Sequence, residues 1–221
     1  MSPLTVLKSE LEFVLRKTHE QDEQRKTFEI MSEQTERMIK IVRTLLILAK
    51  EDDAGRQEQT VFNLSKLLNG MQEVFIHNNL ELKVENGLYV RGNSEYFSMA
   101  IQNIMDNAFK YSEPDAPVTI SAASNGRKVI ITVCDTGVGI PADQRDRIFD
   151  RFYRFDTGVK GERSGVGLGL SLAKAIVSTM NGTIEISDNR PKGSCFTISL
   201  QALSVQANST NIAISAMVTT F

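Results

Sequence analysis

Residues 164–177 read SGVGLGLSLAKAIV, three glycines at alternate positions, Gly165, Gly167 and Gly169, running directly into an apolar helical pattern. Glycines ahead of a helix start leave backbone N–H groups and the positive end of the helix dipole open to an anion. Taken alone, the pattern also fits a dinucleotide-binding fingerprint. That reading fails on context, because no βαβ unit stands at the N-terminus and no acidic residue closes a following strand. A Walker loop is excluded as well, since no Gly-Lys-Ser/Thr is present. What remains is a glycine-hinged lid leading into a phosphate-binding helix.

The segments around this stretch set the fold class. TVFNL alternates like a strand, SKLLNGMQEVF reads as a helix, LELKVE and GLYVRG as short strands, and Ser94 to Tyr111 as a helix. VTISAAS and KVIITVCD flank Asn125 and Gly126, a strong hairpin signal. A lid-like region from Pro141 to Gly165 precedes the helix LSLAKAIVSTM and two final strands, TIEIS and SCFTISL. Strands and helices mix without strict βα alternation, which predicts a layered α+β sandwich rather than a doubly wound parallel sheet.

Upstream, Leu4, Leu7, Leu11, Val14 and Leu15 recur at helical spacing, and after the polar break HEQDEQ so do Phe28, Met31, Met38, Ile41, Leu45 and Leu48. The pair reads as an αα-hairpin whose apolar stripes are completed by a second copy, giving a four-helix homodimer bundle. The alternative is a helical linker packed on its own second domain. The charged stretch EDDAGRQEQ marks the boundary, so the expected division is 1–55 for the hairpin, 56–203 for the α+β domain and 204–221 for a tail with no clear period.

Twenty-five basic and 27 acidic side chains leave a net charge of −2, which argues against nucleic acid as a partner. No stretch reaches the roughly 20 apolar residues of a spanning helix, and no signal-peptide pattern opens the chain. Cys134 and Cys195 lie in apolar strand-like runs and read as buried structural thiols, without a disulfide framework or zinc site, as suits a reducing cytoplasm.

Two segments carry further chemistry. In QNIMDNAFKYS, Asn103 and Asn107 lie four apart on one helical face with Lys110 a turn beyond, while Ile101, Ile104, Met105, Ala108 and Phe109 supply a separate core face. Two carboxamide oxygens beside an ammonium suit Mg²⁺ and phosphates, although such residues are commonly only solvated. In DTGVGI, Asp135 ends an apolar strand and Gly137 and Gly139 follow, so a base or sugar can approach the backbone. A carboxylate only accepts hydrogen bonds and therefore favours the exocyclic amine of adenine over the carbonyl of guanine. Read alone, DTG also fits an ordinary strand exit or an aspartic-protease triplet.

In this order the segments resemble the ATP-binding domain of sensor histidine kinases, within the ATPase superfamily that includes gyrase. The resemblance runs from about Phe62 to Leu200: NIMDNAFKYS is similar to the N box, DTGVGI to the G1 box, IFDRFYRFD to the F box, SGVGLGLSLAKAIV to the G2 box, and KGSCFTISL to the closing glycine-containing strand. It implies that Asn103 and Asn107 hold Mg²⁺, that Lys110 and Tyr111 lie near the phosphates, and that Asp135 binds the adenine amine. Gly137, Gly139 and Ile140 would border adenine, and Gly165, Gly167 and Gly169, with Val166, Leu168 and Leu170 between and after them, would form the lid hinge and the phosphate-binding turn. Phe149, Phe152 and Tyr153 would anchor the lid by packing, with Arg151 or Arg154 reaching the γ-phosphate. Asn107, Lys110 and Arg154 are the catalytic candidates. Asn93 stands where the family often has Asp, a change that affects helix capping only.

At the N-terminus SPLTVL resembles the end of the phosphoacceptor box, whose usual form is His-Glu-Leu-Arg-Ser/Thr-Pro-Leu, so the acceptor histidine would fall three residues before Met1. His19 and His77 read as ordinary surface residues. The resemblance therefore implies a Mg·ATP-dependent protein-histidine kinase that transfers the γ-phosphoryl to a histidine not in this chain and then to a response-regulator receiver domain. The chain would dimerise through its hairpin, in the cytoplasm or on a protein anchored in the inner membrane. The alternatives are an acceptor-less nucleotide-binding module that dimerises with or inhibits another kinase, and a serine kinase of the anti-sigma type.

Overall fold

The computed structural model describes residues 23–49, 59–154, 166–208 and 211–215. The expected first helix, the boundary around residue 55 and Gly165 lie outside the described residues. The chain divides into two compact units, Met1–Lys50 and Glu51–Phe221.

In the first unit the described element is helix α1, Glu23–Ala49. It starts inside the polar stretch expected to separate two helices, since Glu23 and Gln24 are themselves good helix formers. Met31, Met38, Val42 and Leu45 are exposed along it, with Ile30 and Leu46 beside them.

The second unit is a mixed α+β sandwich. Strand β1 (Thr60–Asn63) leads into helix α2 (Leu64–Val74), then come β2 (Leu80–Val84), β3 (Tyr89–Gly92), helix α3 (Ser94–Tyr111), β4 (Val118–Ser124), β5 (Lys128–Cys134), helix α4 (Gly169–Thr179), β6 (Thr183–Asp188) and β7 (Ser194–Gln201). The main sheet has the order β2-β4-β5-β7-β6, while β1 pairs with β3 in a separate ribbon. Strands β2 and β4 run parallel and the other neighbours antiparallel.

Period-two alternation puts one face of this sheet in the core. Ile120, Ile131, Val133, Phe196, Ile198 and Leu200 are buried there, beneath Phe97, Ile101, Ile104 and Met105 of α3 and Leu172 and Ile176 of α4. Each such side chain contributes on the order of 1.5–3 kcal/mol when fully buried. Helices α2 and α3 are capped by asparagines: Asn63 Oδ1 accepts from Lys66 N at 2.8 Å and Asn93 Oδ1 from Tyr96 N at 3.0 Å. An N-cap bond of this kind stabilises by about 1 kcal/mol.

Three details differ from the expectation. The hairpin between β4 and β5 turns one residue later than an Asn-Gly turn would: Asn125 N–H donates to the Lys128 carbonyl, and the Asn125 side chain accepts from Lys128 N–H, leaving Gly126 and Arg127 as the loop. The tail contains a further ribbon, β8 (Ser204–Asn208) with β9 (Asn211–Ser215), where the sequence shows no period. Finally, Cys134 and Cys195 are not free thiols but are joined as a disulfide. The antiparallel register of β5 and β7 sets them directly opposite each other, a juxtaposition that a sequence separation of 61 conceals.

Candidate nucleotide site

The end of β5 meets the start of β7 at Asp135 and Ser194. Asp135 is 5% exposed. Its N–H donates to the Ser194 carbonyl at 2.9 Å, and its Oδ1 accepts from Gly137 N–H at 2.8 Å and Ser194 N–H at 3.2 Å. Its own carbonyl accepts from the Asn189 side chain at 2.8 Å. Among the described residues Oδ2 has no protein partner, so a buried acceptor is left for a ligand that donates. Burial pushes the Asp135 carboxyl above its usual value, against the opposing pull of the Gly137 and Ser194 N–H groups.

Glycine is required around this carboxylate. Gly193 has φ +115°, and a Cβ there would lie 2.0 Å from the Asp135 carbonyl oxygen. A Cβ on Gly137 would lie 2.5 Å from the Tyr111 carbonyl oxygen, so the backbone after Asp135 is pressed against the end of α3. The last turn of α3 thereby joins the Asp135 loop, with the Lys110 ammonium 5.0 Å from the Tyr111 ring centroid. Gly139 follows with φ +79°, and Ile140 offers its carbonyl to Arg145 Nε at 3.2 Å.

On α3, Asn103 is 7% exposed and its Nδ2 donates to the Met99 carbonyl at 2.8 Å. A Cβ on Gly169 would meet its Oδ1 at 2.9 Å, so the first turn of α4 sits directly on this carboxamide. Asn107 lies one turn further along α3, half-buried, toward Lys110. Leu168 precedes α4 and no side chain caps it, which leaves the dipole end of that helix for an anion. Val166 and Leu170 flank this turn. Among the described residues no three His, Cys, Asp or Glu side chains gather to hold a metal. A divalent cation held by Asn103 and Asn107 would therefore share phosphate oxygens and water, as Mg²⁺ ordinarily does.

Phe152 and Gly167 are stapled together at the backbone. Phe152 N–H donates to the Gly167 carbonyl at 2.9 Å, and a Cβ on Gly167 would lie 2.7 Å from the Phe152 carbonyl carbon. Phe152 itself takes φ +65° and its ring is 61% exposed, so it does not anchor the lid by packing as expected. Its backbone does the joining, and the inward side chain is Ile148. Tyr153 hydrogen-bonds Gln144 through its hydroxyl and lies under the Arg147 guanidinium, 4.5 Å from the ring centroid. Lys174 of α4 sits 5.1 Å from the Phe149 ring centroid. Arg151 and Arg154 lie exposed beside this staple.

The residues expected around adenine, at the N box and at the lid base thus converge from α3, the β5 exit and the α4 start. Ser194 and Asn189 were missed. Ser194 carried a signal, standing after the glycine of the last strand, whereas Asn189 stands in a loop with none.

Residues 92–204 match the model for the histidine kinase-, DNA gyrase B- and HSP90-like ATPase. The chain belongs to this ATPase family. Residues 2–54 match the His Kinase A phospho-acceptor domain, and the two domains together make the chain a histidine kinase catalytic region. The sensor protein CiaH of Streptococcus pneumoniae is 30% identical over 207 residues, a match covering 90% of this chain and 46% of CiaH. The chain thus spans about half the length of the curated relatives it matches. Among solved structures, full-length ShkA in complex with AMPPNP superposes with a TM-score of 0.68 at 22% identity, over 90% of this chain and 45% of ShkA. The histidine kinase ThkA in complex with the response regulator protein TrrA gives 0.61 at 20% identity, over 90% of this chain and 57% of the other. At those identities the likeness concerns the fold. Among the described residues no helix is long and apolar enough to cross a membrane.

Proposed function

We propose that this histidine kinase region binds Mg·ATP with Asp135 reading the adenine amine, and that the protein it belongs to transfers the γ-phosphoryl to a histidine and then to a receiver-domain aspartate. The observation that carries the reading is the Asp135 carboxylate: Oδ1 is occupied by two backbone N–H groups, while the buried Oδ2 is left for one donor. Adenine presents a donor at the matching edge and guanine an acceptor, so the site selects between them.

The remaining chemistry is alignment and charge neutralisation. When bound, Mg²⁺ supplies positive charge shared with the phosphate oxygens. Asn103 and Asn107 present carboxamide oxygens from one face of α3, Lys110 adds a point charge, and the uncapped start of α4 offers backbone N–H groups. Arg154, Arg151 and the expected lid from Pro141 to Gly165 complete the phosphate end in this reading, with Gly165, Gly167 and Gly169 at the hinge. The exposed stripe of α1 supports homodimerisation through the helical region, and the ThkA–TrrA complex supports a receiver domain as the downstream partner.

The reading is tested by incubating the chain with γ-labelled ATP and a separately purified helical hairpin that contains His-Glu-Leu-Arg-Ser-Pro-Leu. Acid-labile label is expected on the hairpin and not on this chain. Label on a serine of a partner protein, or none on the hairpin when ATP is bound, would overturn it.

A further inference from the structure

Cys134 and Cys195 are the two cysteines of the chain, and their disulfide closes the last rung of the β5–β7 ladder. Their Cα atoms are 4.1 Å apart. They form a non-hydrogen-bonded pair, because the bond past them runs from Asp135 N–H to the Ser194 carbonyl. Val133 and Phe196, the neighbours on the other side, point into the core, so the sulfurs occupy the opposite, half-buried face of the sheet, within reach of a small oxidant or reductant.

One residue along from the disulfide on each strand stand Asp135, the proposed adenine carboxylate, and Ser194, whose N–H donates to its Oδ1. Strand β5 ends at Cys134, and past it the strands are held together by the Asp135–Ser194 pair and by Asn189 on the Asp135 carbonyl. Within that pair the Ser194 N–H to Oδ1 bond, at 3.2 Å, is at the long end of the normal range. Ends of ladders open more readily than their middles, and a covalent tie at the last rung suppresses that opening. When the tie is cut, two unbonded sulfurs need more separation than a bonded pair, and the displacement falls on the Ser194 N–H to Asp135 contact.

We infer that Cys134–Cys195 is a reversible thiol–disulfide site that tunes nucleotide affinity, the disulfide form holding Asp135 in its adenine-binding position and the dithiol form releasing it. This rests on the reading of Asp135 as the adenine acceptor. In the oxidising direction the two thiols give two protons and two electrons to a peroxide, which leaves as two waters when the peroxide is hydrogen peroxide. In the reducing direction an external dithiol attacks one sulfur, forms a mixed disulfide and leaves as its own cyclic disulfide. The pair stands one residue from a buried carboxylate rather than within the core, so opening or closing it acts on that carboxylate.

The test uses the 221-residue chain treated with hydrogen peroxide or with dithiothreitol, its thiol state read by alkylation and mass spectrometry and its folding by thermal melting. ATP affinity measured by calorimetry should be at least about fivefold higher in the disulfide form. The double variant Cys134→Ser with Cys195→Ser should bind like the dithiol form and ignore both reagents. Equal affinity in two folded states of confirmed thiol content overturns the inference, and so does a response that persists in the double variant. Asp135→Asn is measured beside them: unchanged preference for ATP over GTP there removes the adenine role of Asp135, while the wild-type response to redox state still decides the switch.

Discussion

Ser194 N–H donates to Oδ1 of Asp135 at 3.2 Å while Asp135 N–H donates to the Ser194 carbonyl at 2.9 Å, so one residue pair both ends the sheet and orients the carboxylate. If Asp135 reads the adenine amine as proposed, fold and specificity share these hydrogen bonds. Changes at this point should alter stability and nucleotide choice together, in directions that can be worked out separately.

Asp135→Asn is expected to lower ATP affinity by about 10–100-fold, because the amide places a donor where the adenine amine also donates. GTP should lose much less, since its carbonyl can accept from the new amide. The same change should raise thermal stability at neutral pH. Burial holds the folded-state pKa of Asp135 above its ordinary 3.8, so the stability it contributes is full below that value and is lost as pH rises through the folded value. The variant escapes that loss, and its advantage over wild type should vanish as pH falls below about 4. Parallel melting curves across pH, with calorimetry for the two nucleotides, check both halves.

Gly193→Ala should damage the same corner by a different route. The added Cβ would lie 2.0 Å from the Asp135 carbonyl oxygen at a φ of +115° that alanine rarely adopts. Backbone strain and overpacking together predict a loss of about 3 kcal/mol or more, read as a lower midpoint in urea. Gly70 is the control: no atom lies within 4 Å of its added Cβ, so Gly70→Ala in α2 should be neutral or stabilising.

These positions also show what a sequence can carry. Helix α3 was legible to its ends, because an asparagine cap, a periodic core face and a separate polar stripe agree over Ser94–Tyr111. Asp135 was legible because an apolar strand ends on it and glycine follows. The Cys134–Cys195 pairing was not, since register joins residues 61 positions apart and nothing local reports it. Asn189 was hidden for the same reason, acting 54 positions away from its own loop. Phe152 misled differently: an aromatic between aromatics reads as packing, yet its backbone bond to Gly167 leaves the ring 61% exposed.

Asn107→Ala should separate the metal-dependent part of binding from the rest. The residue sits half-buried on α3 between Asn103 and Lys110 and makes none of the hydrogen bonds that hold the Asp135 carboxylate, which come from Gly137 and Ser194. ATP affinity with Mg²⁺ present is expected to fall on the order of tenfold, and affinity in EDTA to change little. Equal losses in both conditions would mean that Asn107 supports the helix rather than a cation.

The exposed stripe of α1 supplies the last test. Met31, Met38, Val42 and Leu45 recur at intervals that keep them on one helical face, and all are exposed. A stripe of that length is unfavourable in water, and the proposed four-helix homodimer would cover it. Sedimentation of the chain should therefore show a concentration-dependent dimer. The paired change Val42→Glu with Leu45→Glu puts charge into the proposed interface and should weaken dimerisation by at least about 100-fold, because buried carboxylates would lack partners there. ATP affinity, set in the other compact unit, should stay the same, and a dimer of unchanged strength in the variant would place the interface elsewhere.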